Sequence, residues 1–266
     1  MKIAILGCGW LGLPLAEHLI DQGFQVNGST TSEEKLALLQ QKGIQSFLIE
    51  VTEEKITGDF EGFLEQVEIL IIDIPPGLRK NPNGNFTKKI DQILQKMEER
   101  SLKVIFVSST SVYGDHQGEV DETIPAEPET TSGKQLLASE QLLQQSENLQ
   151  VTVIRFAGLF DENRHPVKFL SGRENVKQKY HFVHLIHKCD CIGIITSIIE
   201  KDKFPFLLNA VYPYNPNRGN YYTEKALQQN LPVPIFQEES PGKKGKHIIS
   251  INISYLNYSF QKDLFS

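Results

Sequence analysis

The chain has 266 residues, 39% hydrophobic and 23% charged, with a net charge of −6. That is enough for one large α/β domain, or for a nucleotide-binding domain with a small second lobe, and it excludes a disordered chain. The negative balance argues against a broad nucleic-acid-binding face, and the longest apolar run, Val67 to Pro76, is broken by Glu68 and Asp73 and too short to cross a bilayer.

In chain order, Lys2 to Leu6 reads as a short apolar strand that runs directly into Gly7-Cys8-Gly9-Trp10-Leu11-Gly12. A helix pattern follows, with Leu11, Leu15 and Leu19 on one face and Gly23 as a stop. Phe24 to Gly28 is the next strand. Thr31 to Glu34 has capping-box spacing for a second helix ending near Gly43. Gln45 to Val51 and Val67 to Ile74 read as strands, Phe86 to Arg100 as a helix, Lys103 to Ser108 as a strand, Gly133 to Glu147 as a helix and Val151 to Phe156 as a strand. After about Gly158 the pattern loosens. Loops around Arg164 to Pro166 and Tyr212 to Gly219 alternate with a helix over Cys191 to Glu200 and strands near Phe206 and Ile248.

The alternation predicts an α/β fold: a Rossmann-type, doubly wound parallel sheet with a small C-terminal substrate lobe. The boundary falls between residues 1–158 and 159–266, with about 204–211 returning as a strand to the main sheet. Cys8, Cys189 and Cys191 give neither a disulfide framework nor zinc spacing, so no metal site is expected. No signal peptide precedes the first strand, and the expected location is cytoplasmic.

A G-x-G-x-x-G turn between a strand and a helix is a dinucleotide-binding signature. Gly7 makes the tight turn, Gly9 lets backbone approach a diphosphate, and Gly12 lets the helix pack on the sheet. Trp10 and Leu11 bring their amides to the helix N-terminus, where an anion is favoured. A glycine-rich turn with no ligand is the bland alternative. At the end of the second strand an NAD site usually carries Asp or Glu. Here Gly28-Ser29-Thr30-Thr31-Ser32 stands instead, offering hydroxyl and backbone donors from Ser29, Thr30 and Thr31. The cofactor is therefore NADP or NAD, leaning to NADP. Lys35 reads as a solvated helix-face lysine.

The segment Ser108-Ser109-Thr110-Ser111-Val112-Tyr113-Gly114 after the fifth strand, together with the N-terminal glycines, resembles the extended short-chain dehydrogenase/reductase family, of the NAD-dependent epimerase/dehydratase kind. The likeness covers nearly the whole chain. It implies that Glu50 contacts adenine, that Ser108 belongs to the cofactor site, and that Arg155 to Leu159, with Ala157 and Gly158, closes over the nicotinamide. Val183 to His187, followed by Asp190-Cys191, resembles the family's later "NLIH…DD" stretch. Helices equivalent to Phe86–Arg100 and Gly133–Glu147 often form a homodimer in the family, and the same is the expectation here.

The family's chemistry uses a Ser or Thr, a Tyr, and a Lys four residues after the Tyr. Ser109 occupies the first position, and Ser111 is expected beside it on the same strand face. The other two are replaced: Thr131-Ser132-Gly133-Lys134-Gln135-Leu136 aligns without gaps, placing Ser132 at the Tyr and Leu136 at the Lys. Lys134 is no substitute, because at about 100° per residue it faces away from Ser132. Tyr221 with Lys225 and Tyr258 with Lys262 share the spacing by coincidence, and both lysines are expected on the surface. Tyr113 and His187 are the candidate stand-in acids, and Arg164, His165 and His187 the candidate contacts to a small, anionic substrate. Lys243, Lys244 and Lys246 form a short basic run. Two functions follow from the resemblance: hydride exchange with a small carbonyl or hydroxyl substrate by an oxidoreductase or epimerase with a degenerate site, or a catalytically silent NAD(P)(H) sensor. An empty structural module is a third reading.

Overall fold

The structure is a computed structural model and describes every residue except 241, 243 and 266. Seven parallel strands form the central sheet: β1 (Lys2–Leu6), β2 (Gln25–Thr30), β3 (Gln45–Leu48), β4 (Ile69–Ile72), β5 (Leu102–Ser109), β6 (Leu149–Phe156) and β7 (Leu207–Ala210). Their spatial order is β3-β2-β1-β4-β5-β6-β7, so the order reverses between β1 and β4. This is the Rossmann-type doubly wound sheet, and a ligand belongs at the C-terminal ends of β1 and β4. Ile69 to Ile72 are all buried, as a central strand covered on both faces requires.

Helices α1 (Gly12–Asp21), α2 (Glu33–Gln41), α3 (Phe86–Gln95), α4 (Thr131–Gln144) and α5 (Lys188–Glu200) flank the sheet, and α6 (Arg218–Gln228) packs apart from it, in a smaller apolar cluster. Leu15, Ala16 and Leu19 are the buried stripe of α1. Side chains hold several starts: Asn85 Oδ1 accepts from the Lys88 amide at 3.1 Å, and Thr130 Oγ1 from the Gly133 amide at 3.0 Å. These caps satisfy backbone donors that would otherwise need water. None of the helices is long and apolar enough to cross a membrane, among the described residues.

Several boundaries move. The α2 capping box does not form: the helix begins at Glu33, and the side chain of its N-cap residue, Ser32, makes no cap bond. The strand expected over Gln45 to Val51 stops at Leu48, and Glu50–Val51 pairs antiparallel with Ile56–Thr57 instead. The helix expected from Phe86 to Arg100 ends at Gln95. The α6 helix was absent from the sequence pattern because its inner face is built from Tyr221, Tyr222 and Lys225 rather than aliphatic residues. Lys225 is 4% exposed, which corrects its expected surface position, whereas Lys262 is exposed.

The main apolar core runs through the whole sheet and includes Cys191, Ile194 and Ile198 of α5. A second, smaller cluster gathers Phe160, Val167, Val183, Leu185, Tyr221 and Tyr222. The later part of the chain thus supplies α5 and β7 to the main layers as well as the smaller cluster. On α3 and α4 no large apolar side chain is exposed among the described residues, so the feature that would support pairing through these helices is missing.

Candidate dinucleotide site

The turn between β1 and α1 has the geometry its glycines require. Gly7 has φ +112°, and a Cβ there would lie 2.5 Å from the Asp73 carbonyl oxygen. A Cβ on Gly12 would lie 2.2 Å from the Gly7 carbonyl oxygen, so no other residue lets α1 sit this close. Gly9 has nothing within 4 Å of the same position, leaving the backbone open to an approaching group. The Gly7 amide donates to Ser29 Oγ at 2.9 Å and the Cys8 amide to the Ser29 carbonyl at 2.8 Å, which fixes the turn to the end of β2.

Beside this turn lies a cavity of about 300 Å³. Gly7, Cys8 and Gly9 form one wall, Ser29, Thr30 and Thr31 a second, and Glu50 and Val51 a third. The sequence-predicted residues Gly7, Gly9, Ser29, Thr30, Thr31 and Glu50 are therefore brought together, with Trp10, Leu11 and Gly12 in the adjoining turn. Lys35, exposed on α2, and Lys89 also line the cavity. Open backbone at Gly9, a helix N-terminus and a pocket of this size fit the adenosine and diphosphate parts of a dinucleotide.

Sequence reasoning missed Asp73. It follows β4, lines the cavity, and its carboxylate accepts from the Gly12 amide at the α1 N-terminus. Burial pushes its carboxyl up to about 7, against that hydrogen bond. Only its place in the third dimension marks it, since in sequence it merely interrupts an apolar run. Its charge also helps burial push the Cys8 thiol up to about 12, so Cys8 is an inert core thiol.

The end of the cleft around β5 and α4 is different. Ser109 stands at the end of β5, half-buried, and its Oγ accepts from the Ser111 amide at 3.2 Å. Ser111 lies in the short 3-10 helix Thr110–Val112 and not on the strand face, because the chain turns at Ser109 to meet α4. A Cβ on Gly133 would lie 2.6 Å from the Ser111 carbonyl oxygen, so these two segments are in tight contact. Ser132 is half-buried in the first turn of α4, and Leu136 is 5% exposed, one turn on.

Two expected site residues, Ser108 and Tyr113, are turned into structure. Ser108 is buried and its hydroxyl donates to Glu140, away from the cleft. Glu140 in turn receives Arg155, with Nη2 to Oε2 at 2.6 Å and Nε to Oε2 at 3.1 Å. Arg155 Nη1 donates to the Tyr113 hydroxyl at 2.8 Å, and that hydroxyl lies 3.1 Å from Asn209 Oδ1. Tyr113 is 1% exposed, and burial raises its pKa despite the neighbouring guanidinium. It is a core strut, which corrects its expected role as an acid. Glu140 and Arg155 form the buried pair of the molecule's centre, a link between α4 and β6 that no sequence spacing reveals.

His165 is likewise corrected. It is 2% exposed, its Nδ1 accepts from the Val167 amide at 3.1 Å, and its Nε2 donates to the Tyr221 hydroxyl at 3.0 Å. Burial and two lysines hold its pKa down at about 4, so it is neutral and structural. His187 caps α5, its Nδ1 accepting from the Cys189 amide at 3.2 Å, and it is 8% exposed. Both ring nitrogens of His165 are hydrogen-bonded within the fold, whereas His187 Nε2 is buried without a hydrogen-bond partner, 3.4 Å from Glu162 Oε1. Ala157 is buried, donating its amide to the Ala210 carbonyl at 2.9 Å, while Gly158 is exposed and pairs with the His184 carbonyl at 3.0 Å. Arg164 is exposed and stacks on Trp10, 5.0 Å from guanidinium carbon to ring centroid. Of the basic run, Lys246 pairs with Asp115 at 3.7 Å and Lys244 is exposed, while Lys243 lies outside the described residues. No group of three or more His, Cys, Asp or Glu side chains able to hold a metal ion occurs among the described residues.

Comparison with known proteins places this architecture. The structure of a conserved protein from Silicibacter pomeroyi superposes with a TM-score of 0.80 at 21% identity, covering 99% of this chain and 95% of that one. UDP-glucuronic acid 4-epimerase from Bacillus cereus, in complex with UDP-glucuronic acid and NAD, superposes with a TM-score of 0.78 at 18% identity, covering 100% and 96%. The fold is thus that of the epimerase/dehydratase enzymes. In sequence, Protein YeeZ from Escherichia coli strain K12 is 35% identical over 265 residues, covering 98% of this chain and 96% of YeeZ. A family model described as NAD(P)H-binding matches residues 7–181, which span the glycine turn, the cavity and the Ser109 region. The chain belongs to the NAD(P)H-binding family.

Proposed function

We propose that the protein holds NADP(H) in preference to NAD(H) and exchanges hydride with a small carbonyl or hydroxyl compound, slowly, without the family's usual proton relay. The observation that carries this reading is the pair Ser132 and Leu136 at the tyrosine and lysine positions of α4. The bound cofactor would supply the hydride chemistry. The chain supplies Gly7, Gly9, Trp10, Leu11 and Gly12 to hold it, with Ser29, Thr31 and Glu50 around the adenosine. Ser109 orients the substrate oxygen. A serine hydroxyl lacks the acidity of a phenol, and Leu136 cannot hydrogen-bond a ribose. Loss of a positioned acid or base typically costs about 10²–10⁴-fold in rate.

The leaning to NADP is supported by the absence of a carboxylate over Gly28 to Ser32 and by Lys35 and Lys89 on the cavity wall. A 2′-phosphate there meets hydroxyls and ammonium groups and no acid at the strand end. A second reading, a silent sensor of the NADP(H) redox state, is favoured by one fact. Tyr113 and His165, two of the side chains nearest in kind to a replacement acid, are engaged in the fold.

Calorimetry with NADP+ and NAD+ tests the binding, with tighter binding of NADP+ expected. NADPH oxidation with sugar nucleotides and small ketones separates the two readings. Slow consumption with one of them supports hydride exchange, tight binding without consumption supports the sensor, and no heat with either coenzyme removes both.

A further inference from the structure

Trp10 is the single tryptophan of the chain, and two cations rest on its ring. The Arg164 guanidinium carbon lies 5.0 Å and the Lys188 Nζ 4.8 Å from the ring centroid. Both cations come from the far side of residue 158 in sequence, yet they meet at the residue between Gly9 and Leu11.

The arrangement concentrates positive charge. The turn ends in the N-terminus of α1, which carries its own partial positive charge. Lys188 is the first residue of α5, the helix end where a cation is disfavoured. Carboxylates answer the helix ends and the lysine: Asp73 accepts from the Gly12 amide at the α1 N-terminus, Asp190 lies in the first turn of α5, and Asp161, 2% exposed, ion-pairs with Lys188. The Asp161 carboxylate accepts from the Arg164 amide at 2.7 Å and the Asn163 amide at 3.0 Å, which fixes the turn carrying Arg164. The Arg164 side chain itself is exposed and makes no ion pair among the described residues. An exposed guanidinium held on an indole, with its backbone locked and no acid opposite, is set out for an anion rather than for the fold.

We propose that Arg164, with Lys188 and the Trp10 ring that carries them, is a side-chain arm of the diphosphate cradle and grips the dinucleotide together with the glycine turn. This rests on the reading of the cavity as a dinucleotide site. It assigns Arg164 to the cofactor and not to the substrate, and it ties the segment 161–188 to cofactor occupancy. A sugar nucleotide carries the same diphosphate chemistry, but Trp10 belongs to the glycine turn, and the dinucleotide is the ligand that reaches it.

The experiment uses the full chain, with Trp10 emission and calorimetry as paired readouts. Inorganic pyrophosphate, NADP+ and uridine diphosphate are the probes. Saturable change of Trp10 emission with pyrophosphate and NADP+ is expected. Arg164→Gln is expected to weaken both by roughly ten- to hundredfold, as loss of a charge-assisted hydrogen bond does. Arg173→Gln, at another exposed arginine, is the control and leaves both unchanged. Because Arg164 is exposed, its variant retains the wild-type melting temperature. Wild-type affinity in Arg164→Gln overturns the proposal. So does Trp10 emission that responds to uridine diphosphate while NADP+ binds silently. If wild-type calorimetry shows no binding of NADP+ or NAD+, the cofactor reading falls and takes this one with it; if the wild type binds and the variant binds equally, only this one falls.

Discussion

The two ends of the cleft are built to opposite purposes. At the glycine turn, backbone is left open: Gly9 has clear space before it, and the adjoining cavity is lined by hydroxyls and two lysines. At the Ser109 end, polar groups are consumed by the fold. Ser108, Tyr113, Glu140 and Arg155 hydrogen-bond to one another under the surface, and Leu136 fills the place from which a lysine would reach out. The contrast teaches that binding a dinucleotide and using it are separate properties of this fold. The first needs bare backbone at one turn, while the second needs acidic side chains at one helix face.

The largest effect should come from breaking the buried network at the Ser109 end. Glu140→Ala leaves Arg155 charged and unpaired in the core and is expected to cost about 3–5 kcal/mol in urea unfolding. A loss under 1 kcal/mol would mean that the pair is not structural, and the contrast would weaken. Next, Gly12→Ala forces a Cβ against the Gly7 carbonyl and is expected to cost roughly 1–3 kcal/mol, seen as a lower melting temperature. Gly9→Val, in open space, is expected to leave the melting temperature of the free protein in place while removing the rise that NADP+ produces. If both variants bind NADP+ normally, the turn does not hold a diphosphate.

A pH series sharpens the same end. Asp73 is neutral below about 7 and anionic above it. Its carboxylate shares the α1 N-terminus with the proposed diphosphate, so NADP+ affinity should fall as pH rises through 7, by at most about tenfold per pH unit. Asp73→Asn should hold the low-pH affinity at all pH values. The free protein carries the matching sign. A carboxyl raised from about 3.9 in the unfolded chain favours the fold at low pH, and that contribution is lost as pH climbs to about 7. The smallest effect is at Lys35. Lys35→Ala should weaken NADP+ a few-fold and leave NAD+ unchanged, as expected for an exposed ion pair worth about 0.2–1 kcal/mol. Equal effects on both coenzymes would place the lysine elsewhere than at a 2′-phosphate.

The glycine turn was legible because its constraints are local. Gly7, Gly9 and Gly12 each answer to a backbone angle or a contact within a few residues, or one strand away, and the alternation of strands and helices fixes the parallel sheet around them. The substitutions at Ser132 and Leu136 were equally plain, since a fixed helical spacing has only two places to look. What the tertiary structure alone decided is which polar side chains are spent. Tyr113 and His165 look like chemistry in a linear sequence, but each is buried against a distant group, Tyr113 against Arg155, 42 positions away, and His165 against Tyr221, 56 positions away. Asp73 and Arg164 went the other way, Asp73 from an interrupted strand to the wall of the cavity beside the glycine turn and Arg164 from a loop onto the Trp10 ring. Burial and long-range partners set the charge and reach of a side chain, and neither is written in its neighbours along the chain.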